Sequence, residues 1–420
     1  MKYFSSLCVI AIVVAAAAWA TAGQINVPAE FGLTARGIGM GNAMTAVADD
    51  TGLVYHNPAA MAAMTNSHFG FSYLFAKPNF QGGQKGELKE FTESNNILLN
   101  TLVLDLSRLL RSRRPFAAGL FVDFDRNGRQ LMYFSDARFD DGRFYRYGRA
   151  STVGIASVAL GVTDWLNIGG GVLAMQHSFV DYQYRTDLVG NSELEGIARE
   201  DRLNYSPILS LFLDFQSVDI GLTYRGENYS RVGEVTIESE ATVGEADLTS
   251  IPISMQFQDS YAPQNIAVGV SLKPLDDLKI SLDGTWYNWG RFDDQVAEND
   301  SPRQDVDLDF VDVYSPRLGL EYFLAKSLPL RAGYGYLPTP MRKPGSNRHI
   351  YLDNNRHVMS LGLGYLFTDL PPFELPLSLD VAFVHQYLTP STYDSADDEA
   401  TEFQSKGNLN GGIVSLTFRF

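Results

Sequence analysis

The sequence predicts an all-β fold, a transmembrane antiparallel β-barrel of about fourteen strands. Two patterns support this prediction: apolar and polar residues alternate with a period of two along most of the chain, and short turns alternate with long loops. At the C-terminus, Val414, Leu416, Phe418 and Phe420 fall on one face of a strand, and Ser415 falls on the other. Such alternation is typical of a strand that separates an apolar medium from a polar one.

The predicted strands are even in number and long enough to cross a membrane. They cover residues 67–77, 96–105, 115–125, 149–162, 166–179, 203–215, 218–229, 262–273, 278–290, 314–324, 328–338, 356–367, 376–388 and 410–420. Short turns such as 163–165 and 216–217 alternate with long loops such as 180–202, 230–261 and 389–409. At a rise of about 3.3 Å per residue and a tilt of about 45°, these strands span an apolar band of about 25 Å. The pattern indicates periplasmic turns and extracellular loops.

Composition excludes several classes of protein. The chain has 420 residues with 33 Lys plus Arg against 49 Asp plus Glu, a formal net charge of −16. Its arginine cluster (Arg108, Arg111, Arg113, Arg114) is short and local, so we predict no nucleic-acid partner. Only one stretch is continuously apolar, which excludes a polytopic helical membrane protein. The single cysteine, Cys8, excludes a disulfide framework and a cysteine-based metal site, and we predict no cofactor.

The first 22 residues are predicted to be a cleaved signal peptide. Lys2 gives a short positive start, an apolar run extends from Leu7 to Ala18, and small-x-small cleavage sites follow. The mature chain would therefore lack cysteine. At the other end, Phe418 and Phe420 resemble the C-terminal insertion signal of outer-membrane barrels, which implies the barrel-assembly machinery as a partner.

About 44 residues of the mature chain precede the first strand, and they show no strand pattern. Small residues dominate them, which suits backbone that packs closely in a confined space. The glycine run Gly37, Gly39 and Gly41 lacks the spacing and the following Lys-Ser/Thr of a phosphate-binding loop. Asn57-Pro58-Ala59 favours a turn in any fold.

The chain resembles the FadL family of outer-membrane transporters, including the hydrocarbon channels of the TodX kind. The blocks that carry the resemblance are Gly32 to Asn42, Ala48 to Asp50, Asn57 to Ala59, Lys273 to Asp277, Trp286 to Trp289, Arg317 to Tyr322, Leu330 to Tyr334 and Leu352 to His357. The resemblance implies a hatch, residues 23–66, that plugs a barrel formed by residues 67–420. It identifies Asn57, Pro58 and Ala59 as the hatch motif. A fourteen-stranded barrel has a lumen that must be blocked, which agrees with a plug.

The resemblance also implies passive uptake of hydrophobic small molecules, either long-chain fatty acids or hydrocarbons, across the outer membrane of a Gram-negative bacterium. Lateral exit is expected through the wall at the third strand, where Ala117, Ala118 and Gly119 are the candidate opening. Outer-membrane lipids and lipopolysaccharide are the expected surroundings of a monomer. Residues 230–261 depart from the family because Ile251 and Ile253 alternate with polar residues, which predicts strands extended beyond the membrane.

Other functions remain open at this point. The sequence has neither a His-Glu-x-x-His pair nor a Gly-x-Ser-x-Gly elbow, so we predict that the protein is not an enzyme. A PorV-like role, in which the barrel holds or shuttles protein cargo during secretion, is the main alternative. A general aqueous porin is less consistent with a hatch. The acidic loops at 293–300 and 397–399 are interpreted as solvated faces rather than cation sites.

Overall fold

The computed structural model describes most of the chain after the predicted signal peptide. The described residues are 27–92, 94–107, 109–125, 143–144, 152–186, 192–243, 246–291, 294–298, 304–306, 310–342, 351–367, 376–394 and 402–420. Residues 1–22, Cys8, and the acidic positions 293, 300 and 397–399 lie outside them.

Fourteen strands within the described ranges form one closed antiparallel barrel, as predicted. In chain order β1 to β14 are His68–Gln84, Asn95–Asp105, Phe116–Asp125, Val153–Gly161, Leu166–Thr186, Ser192–Asp214, Val218–Arg225, Asn265–Leu275, Leu278–Tyr287, Val313–Ala325, Leu328–Leu337, Arg356–Phe367, Leu377–Asp394 and Glu402–Arg419. Each pairs with its neighbours in sequence, and β1 also pairs with β14, from His68↔Arg419 to Gln84↔Phe403. Closure leaves no unpaired edge in lipid.

Side-chain exposure confirms which face of each strand meets the membrane. In β14 Val414 is 44% exposed and Ser415 is 3% exposed. In β12 Leu361 is 64% exposed, whereas Ser360 is 4% exposed. The apolar residues therefore face outward and the polar residues face the lumen, the reverse of a soluble sandwich. No helix in the described part of the chain is long and apolar enough to cross a membrane.

Several predicted loops are largely strand. The predicted loop 180–202 consists mostly of the ends of β5 and β6, which pair from Leu166↔Leu213 to Thr186↔Ser192. The predicted loop 230–261 is a hairpin of strands Asn228–Val243 and Ala246–Ala262, in agreement with the strands predicted there. The predicted loop 389–409 is likewise shortened by β13 and β14. These boundaries were wrong because backbone pairing continues beyond the apolar band, where side-chain alternation no longer marks the strand.

The segment before β1, residues 27–66, contains only short helices. These are α1 (Val27–Glu30), α2 (Ala35–Gly39), α3 (Leu53–His56) and the 3-10 helix Pro58–Ala63. Helix α2 packs against β11 to β14, whereas the 3-10 helix packs against β3 to β6. Because these strands lie on different sides of the barrel, the segment crosses the lumen. Its residues Leu33, Met44 and Asn57 are completely buried.

Candidate functional site: the barrel interior

Asn57 fixes the turn between α3 and the 3-10 helix and links it to the barrel wall. Its side-chain Nδ2 donates hydrogen bonds to the carbonyl oxygens of Thr45, at 2.7 Å, and of Leu211 in β6, at 3.0 Å. Its Oδ1 accepts from the Ala59 amide at 3.1 Å, and Pro58 occupies the first turn of the helix. The Ala59 amide also donates to Ser210 Oγ at 2.8 Å. The predicted motif is thus a structural junction between the segment and β6.

The glycine run allows the segment to approach the opposite wall. Gly41 has φ +63°, and a Cβ there would lie 2.8 Å from the Tyr334 amide nitrogen. Gly39 lies against the backbone of Gly362, and Gly37 donates to Thr34 Oγ1 at 3.0 Å, which caps α2. The lack of a side chain is required most clearly at Gly41, where the positive φ and the close backbone of β11 both favour glycine.

A set of wall glycines, which sequence reasoning did not identify apart from Gly119, accommodates the segment from the other side. Any Cβ at these positions would fall within 3.1 Å of an atom of the segment: Gly70, Gly119, Gly169, Gly221, Gly269, Gly319, Gly333 and Gly362. The tightest is Gly221, whose Cβ would lie 1.9 Å from the Thr45 carbonyl oxygen. The sequence does show glycine at inward-facing positions of many strands. The role of these glycines becomes clear only when the segment is known to lie inside the barrel.

A buried ionic network ties the segment to the turn side of the barrel. Arg36 in α2 donates to Glu321 in β10 through Nε at 2.8 Å and Nη2 at 2.6 Å. Arg331 donates to Glu321 at 2.7 Å and to Asp380 at 2.5 Å. Asp49 of the segment contacts Arg36 and Lys279, at 3.0 Å and 3.1 Å. Burial opposes ionisation of Asp49, but these two positive charges prevail and hold its pKa below the usual range.

The loop side of the interior contains a large apolar region, beside a buried ionic cluster in which Arg356 pairs with Glu30 and Asp353. One hydrophobic cluster joins residues of the segment, such as Phe31 and Val54, to inward-facing wall residues. We call these wall residues the apolar wall: Phe80, Ile97, Leu99, Phe121, Leu173, Ile208, Leu388 and Phe403. Each is at most 3% exposed and most lie in the half of their strand nearest the loops. A molecule that enters from the loops along the apolar wall therefore meets hydrocarbon before it meets the network around Glu321.

A second polar contact lies on the β7 side of the segment. Arg225 donates to the carbonyl oxygens of Tyr55 and His56, at 2.8 Å and 2.9 Å, and its guanidinium stands 4.2 Å from the Tyr55 ring centroid. Burial, together with the positive charges of Arg225 and Arg317, holds the pKa of His56 well below its usual range. His56 is therefore neutral at pH 7.

The candidate opening in β3 borders the segment. Gly119 faces inward, and a Cβ there would lie 2.6 Å from Met61 Sδ and 2.7 Å from Val54 Cγ2. Strand β3 pairs without a register shift from Phe116 to Val122 on the β4 side and from Ala117 to Asp125 on the β2 side. Passage through the wall at Ala117 to Gly119 would require these pairs to separate, so the opening stays a prediction.

The C-terminal residues close the barrel against the start of β1. Phe418 is paired with Phe69 of β1, and their rings stack at 6.5 Å. The Phe420 amide and carbonyl exchange hydrogen bonds with Ser67, at 2.9 Å and 3.0 Å. No group of three or more His, Cys, Asp or Glu side chains suited to a metal ion occurs among the described residues.

Comparisons with known proteins agree with this architecture. Residues 213–420 match the sequence profile of a family described as outer membrane protein transport protein (OMPP1/FadL/TodX). Alkane uptake protein A of Marinobacter nauticus is 22% identical over 451 aligned residues, covering 99% of this chain and 96% of that protein. A Pseudomonas aeruginosa FadL homologue has a similar structure, with a TM-score of 0.64, 15% identity, and coverage of 92% of this chain and 98% of that chain. For the Ralstonia pickettii toluene transporter TbuX the TM-score is 0.55, with 15% identity and coverage of 93% and 99%.

Proposed function

The chain belongs to the OMPP1/FadL/TodX family of outer membrane transport proteins, and on this premise we propose that it takes up hydrophobic small molecules by passive diffusion. It resides in the outer membrane of a Gram-negative bacterium. Residues 23–66 act as the hatch of a monomeric barrel, residues 67–420. The similarity to alkane uptake protein A along nearly the whole chain supports hydrocarbons as substrates, with long-chain fatty acids as the other candidate class.

The observation that carries the proposal is the division between the apolar wall, toward the loops, and the ionic network around Glu321, toward the turns. An apolar solute gains about 25 cal/mol for each Å² of surface that it removes from water, so it partitions into the apolar wall. Moving further toward the ionic network would place the solute against desolvated charges, which is unfavourable. The division therefore favours a sideways exit over passage straight through the barrel.

Lateral exit requires two movements. The 3-10 helix must withdraw from β3, where Met61 fills the space beside Gly119, and the β3–β4 pairs must separate. Ala117 and Gly119 present little side-chain volume to a passing solute. The outward side chain between them is Ala118, which is also small. An exit here would release the solute directly into the bilayer.

Uptake by cells tests the proposal. Labelled hexadecane and palmitate are added to a host that lacks the chain and to the same host expressing it at a verified level in the outer membrane. We expect faster uptake of at least one of the two compounds, with unchanged uptake of a small hydrophilic solute. Equal rates for both hydrophobic compounds would contradict the proposed function, and faster uptake of the hydrophilic solute would indicate an aqueous porin.

A further inference from the structure

One periplasmic turn differs from the others in charge. The connection between β2 and β3 has ten residues, 106–115, one more than the β12–β13 connection, whereas the β8–β9 and β10–β11 connections have two each. Its sequence, Leu-Ser-Arg-Leu-Leu-Arg-Ser-Arg-Arg-Pro, contains four arginines and no acidic residue. The chain as a whole has a net charge of −16, so this positively charged cluster is opposite in sign to the chain's net charge. We call residues 106–115 the basic turn.

Hydrogen bonds order the described residues of the basic turn, 106–107 and 109–115. The Leu110 amide donates to the Leu106 carbonyl at 2.9 Å, and the Ser112 amide donates to the Ser107 carbonyl at 2.9 Å. The Ser107 hydroxyl accepts from the Phe116 amide at 2.9 Å, which closes the base of the turn. Arg111 has φ +50°. This ordering determines which side chains project from the barrel.

The projecting side chains are apolar and cationic. Leu109 is 72% exposed and Leu110 is 56% exposed. Arg114 forms an ion pair with Asp164 of the neighbouring turn, at 2.7 Å. Arg111 and Arg113 are exposed and form no ion pair with any residue that the structure describes. Two adjacent leucines and two unpaired guanidinium groups therefore lie together at the end of the barrel.

Aromatic side chains mark the same region as the membrane boundary. Trp165, in the turn beside the basic turn, is 49% exposed, and Phe215, in the next turn, is 48% exposed. Their rings are stacked with centroids 6.1 Å apart. Exposed aromatic residues at strand ends lie at the level of the lipid headgroups. The basic turn, which is joined to this region by Arg114 and Asp164, lies at the same level.

We infer that the basic turn binds acidic phospholipid headgroups in the periplasmic leaflet. Arg111 and Arg113 would hold the phosphate, while Leu109 and Leu110 would enter the adjoining acyl region. A basic residue close to an anionic lipid surface contributes about 1 kcal/mol of binding free energy. The combination of exposed leucines with arginines at headgroup depth fits a lipid better than a soluble acidic protein or free phosphate. This inference does not depend on the transport function proposed above.

Native mass spectrometry of the full mature chain in detergent tests the inference. Phosphatidylglycerol and phosphatidylethanolamine are titrated separately against wild type, the double variant Arg111→Gln/Arg113→Gln, and the control Lys85→Gln/Arg342→Gln. The control removes the same charge from exposed positions on the loop side. We expect wild type to prefer phosphatidylglycerol, the basic-turn variant to bind it about thirty-fold more weakly, and the control to match wild type. The variant Leu109→Ser/Leu110→Ser, which keeps the charge, is expected to weaken binding of both lipids.

Three outcomes would overturn the inference. In the first, wild type binds the two lipids equally well. In the second, both charge variants lose affinity to the same extent, so that net charge rather than the basic turn is responsible. In the third, the basic-turn variant binds phosphatidylglycerol as wild type does while a photo-crosslinker at position 110 captures an acidic periplasmic protein. The heat-modifiable migration of every variant on gels verifies that its barrel is folded.

Discussion

Arg36 and Glu321 form a bidentate ion pair across 285 positions of sequence, with the Glu321 side chain completely excluded from solvent. Because Arg331 also pairs with Glu321, this carboxylate bridges two guanidinium groups, and Asp49 and Asp380 supply the remaining negative charge. We predict that Glu321→Gln loosens the N-terminal segment. Removing one partner of a buried pair costs about 3–5 kcal/mol, since the remaining charges stay desolvated.

Hydrogen exchange of the amides in residues 34–53 measures this loosening. We expect faster exchange there in Glu321→Gln, with the β13–β14 ladder unchanged. The control is Glu402→Gln, which breaks the exposed Lys85–Glu402 pair. It should change the free energy of amide opening in the segment by less than about 1 kcal/mol. Equal effects of the two variants would show that the buried network does not hold the segment.

A second prediction concerns the wall glycines. A Cβ at Gly221 would lie 1.9 Å from the Thr45 carbonyl oxygen and 2.6 Å from its carbonyl carbon, both backbone atoms that cannot rotate away. Gly221→Ala should therefore displace the segment and lower the free energy of unfolding by about 1–3 kcal/mol. Single-channel conductance in planar bilayers should rise because the lumen is less well blocked.

Gly284→Ala is the matched control for this prediction, because a Cβ at Gly284 meets no atom within 4 Å. Its conductance and thermal unfolding should equal those of wild type. If Gly221→Ala behaves like this control, the segment does not rest on the wall as closely as the distance implies.

The sequence predicted the barrel better than its contents. Strand number, the outward face and closure follow from alternation, which lipid imposes on every strand; the exposure of Leu361 beside buried Ser360 reflects that single rule. The Arg36–Glu321 pair and the fit of Gly221 to Thr45 connect distant parts of the chain without a local pattern. Such contacts are set by tertiary packing, so spacing along the sequence does not reveal them.

Asn57 gives a third prediction. Asn57→Ala removes the donors to the Thr45 and Leu211 carbonyl oxygens and the helix cap at Ala59. Because the substitution leaves two buried carbonyl oxygens without this partner, it should lower the free energy of unfolding by about 2–4 kcal/mol. Thermal unfolding in detergent measures the loss. The control Asn66→Ala, at an exposed asparagine, should leave thermal stability nearly unchanged. Similar losses of stability in both variants would show that the hydrogen bonds of Asn57 are not important for stability.

Acid should loosen the segment through His56. Its pKa is held well below the usual value of about 6.5 by burial and by Arg225 and Arg317, so the unfolded segment binds a proton more readily than the folded one. The stability that neutral His56 contributes is thus present above pH 6.5 and declines below it, by at most about 1.4 kcal/mol per pH unit. Proteolysis of the segment at pH 5.0 and 7.5 measures this, and His56→Asn should reduce the difference. An unchanged pH dependence in that variant would contradict the assignment to His56.

Locking the wall tests lateral exit directly. Ala118 in β3 and Val158 in β4 are paired neighbours, and Val158 is 51% exposed on the lipid-facing side. Because Cys8, the single cysteine of the sequence, lies in the predicted signal peptide, the double variant Ala118→Cys/Val158→Cys can form a disulfide without interference in the mature chain. Oxidation should stop uptake of the hydrophobic substrate and reduction should restore it, because the disulfide keeps β3 and β4 together.

The control for this lock is Leu222→Cys/Val268→Cys, which joins β7 to β8 at another outward-facing pair. Its oxidation should leave uptake unchanged, since that seam lies away from β3 and from Met61. Uptake that continues through the oxidised β3–β4 lock would place the exit elsewhere. A loss of uptake in both locked barrels would indicate that the whole wall must deform during transport rather than one seam beside Gly119.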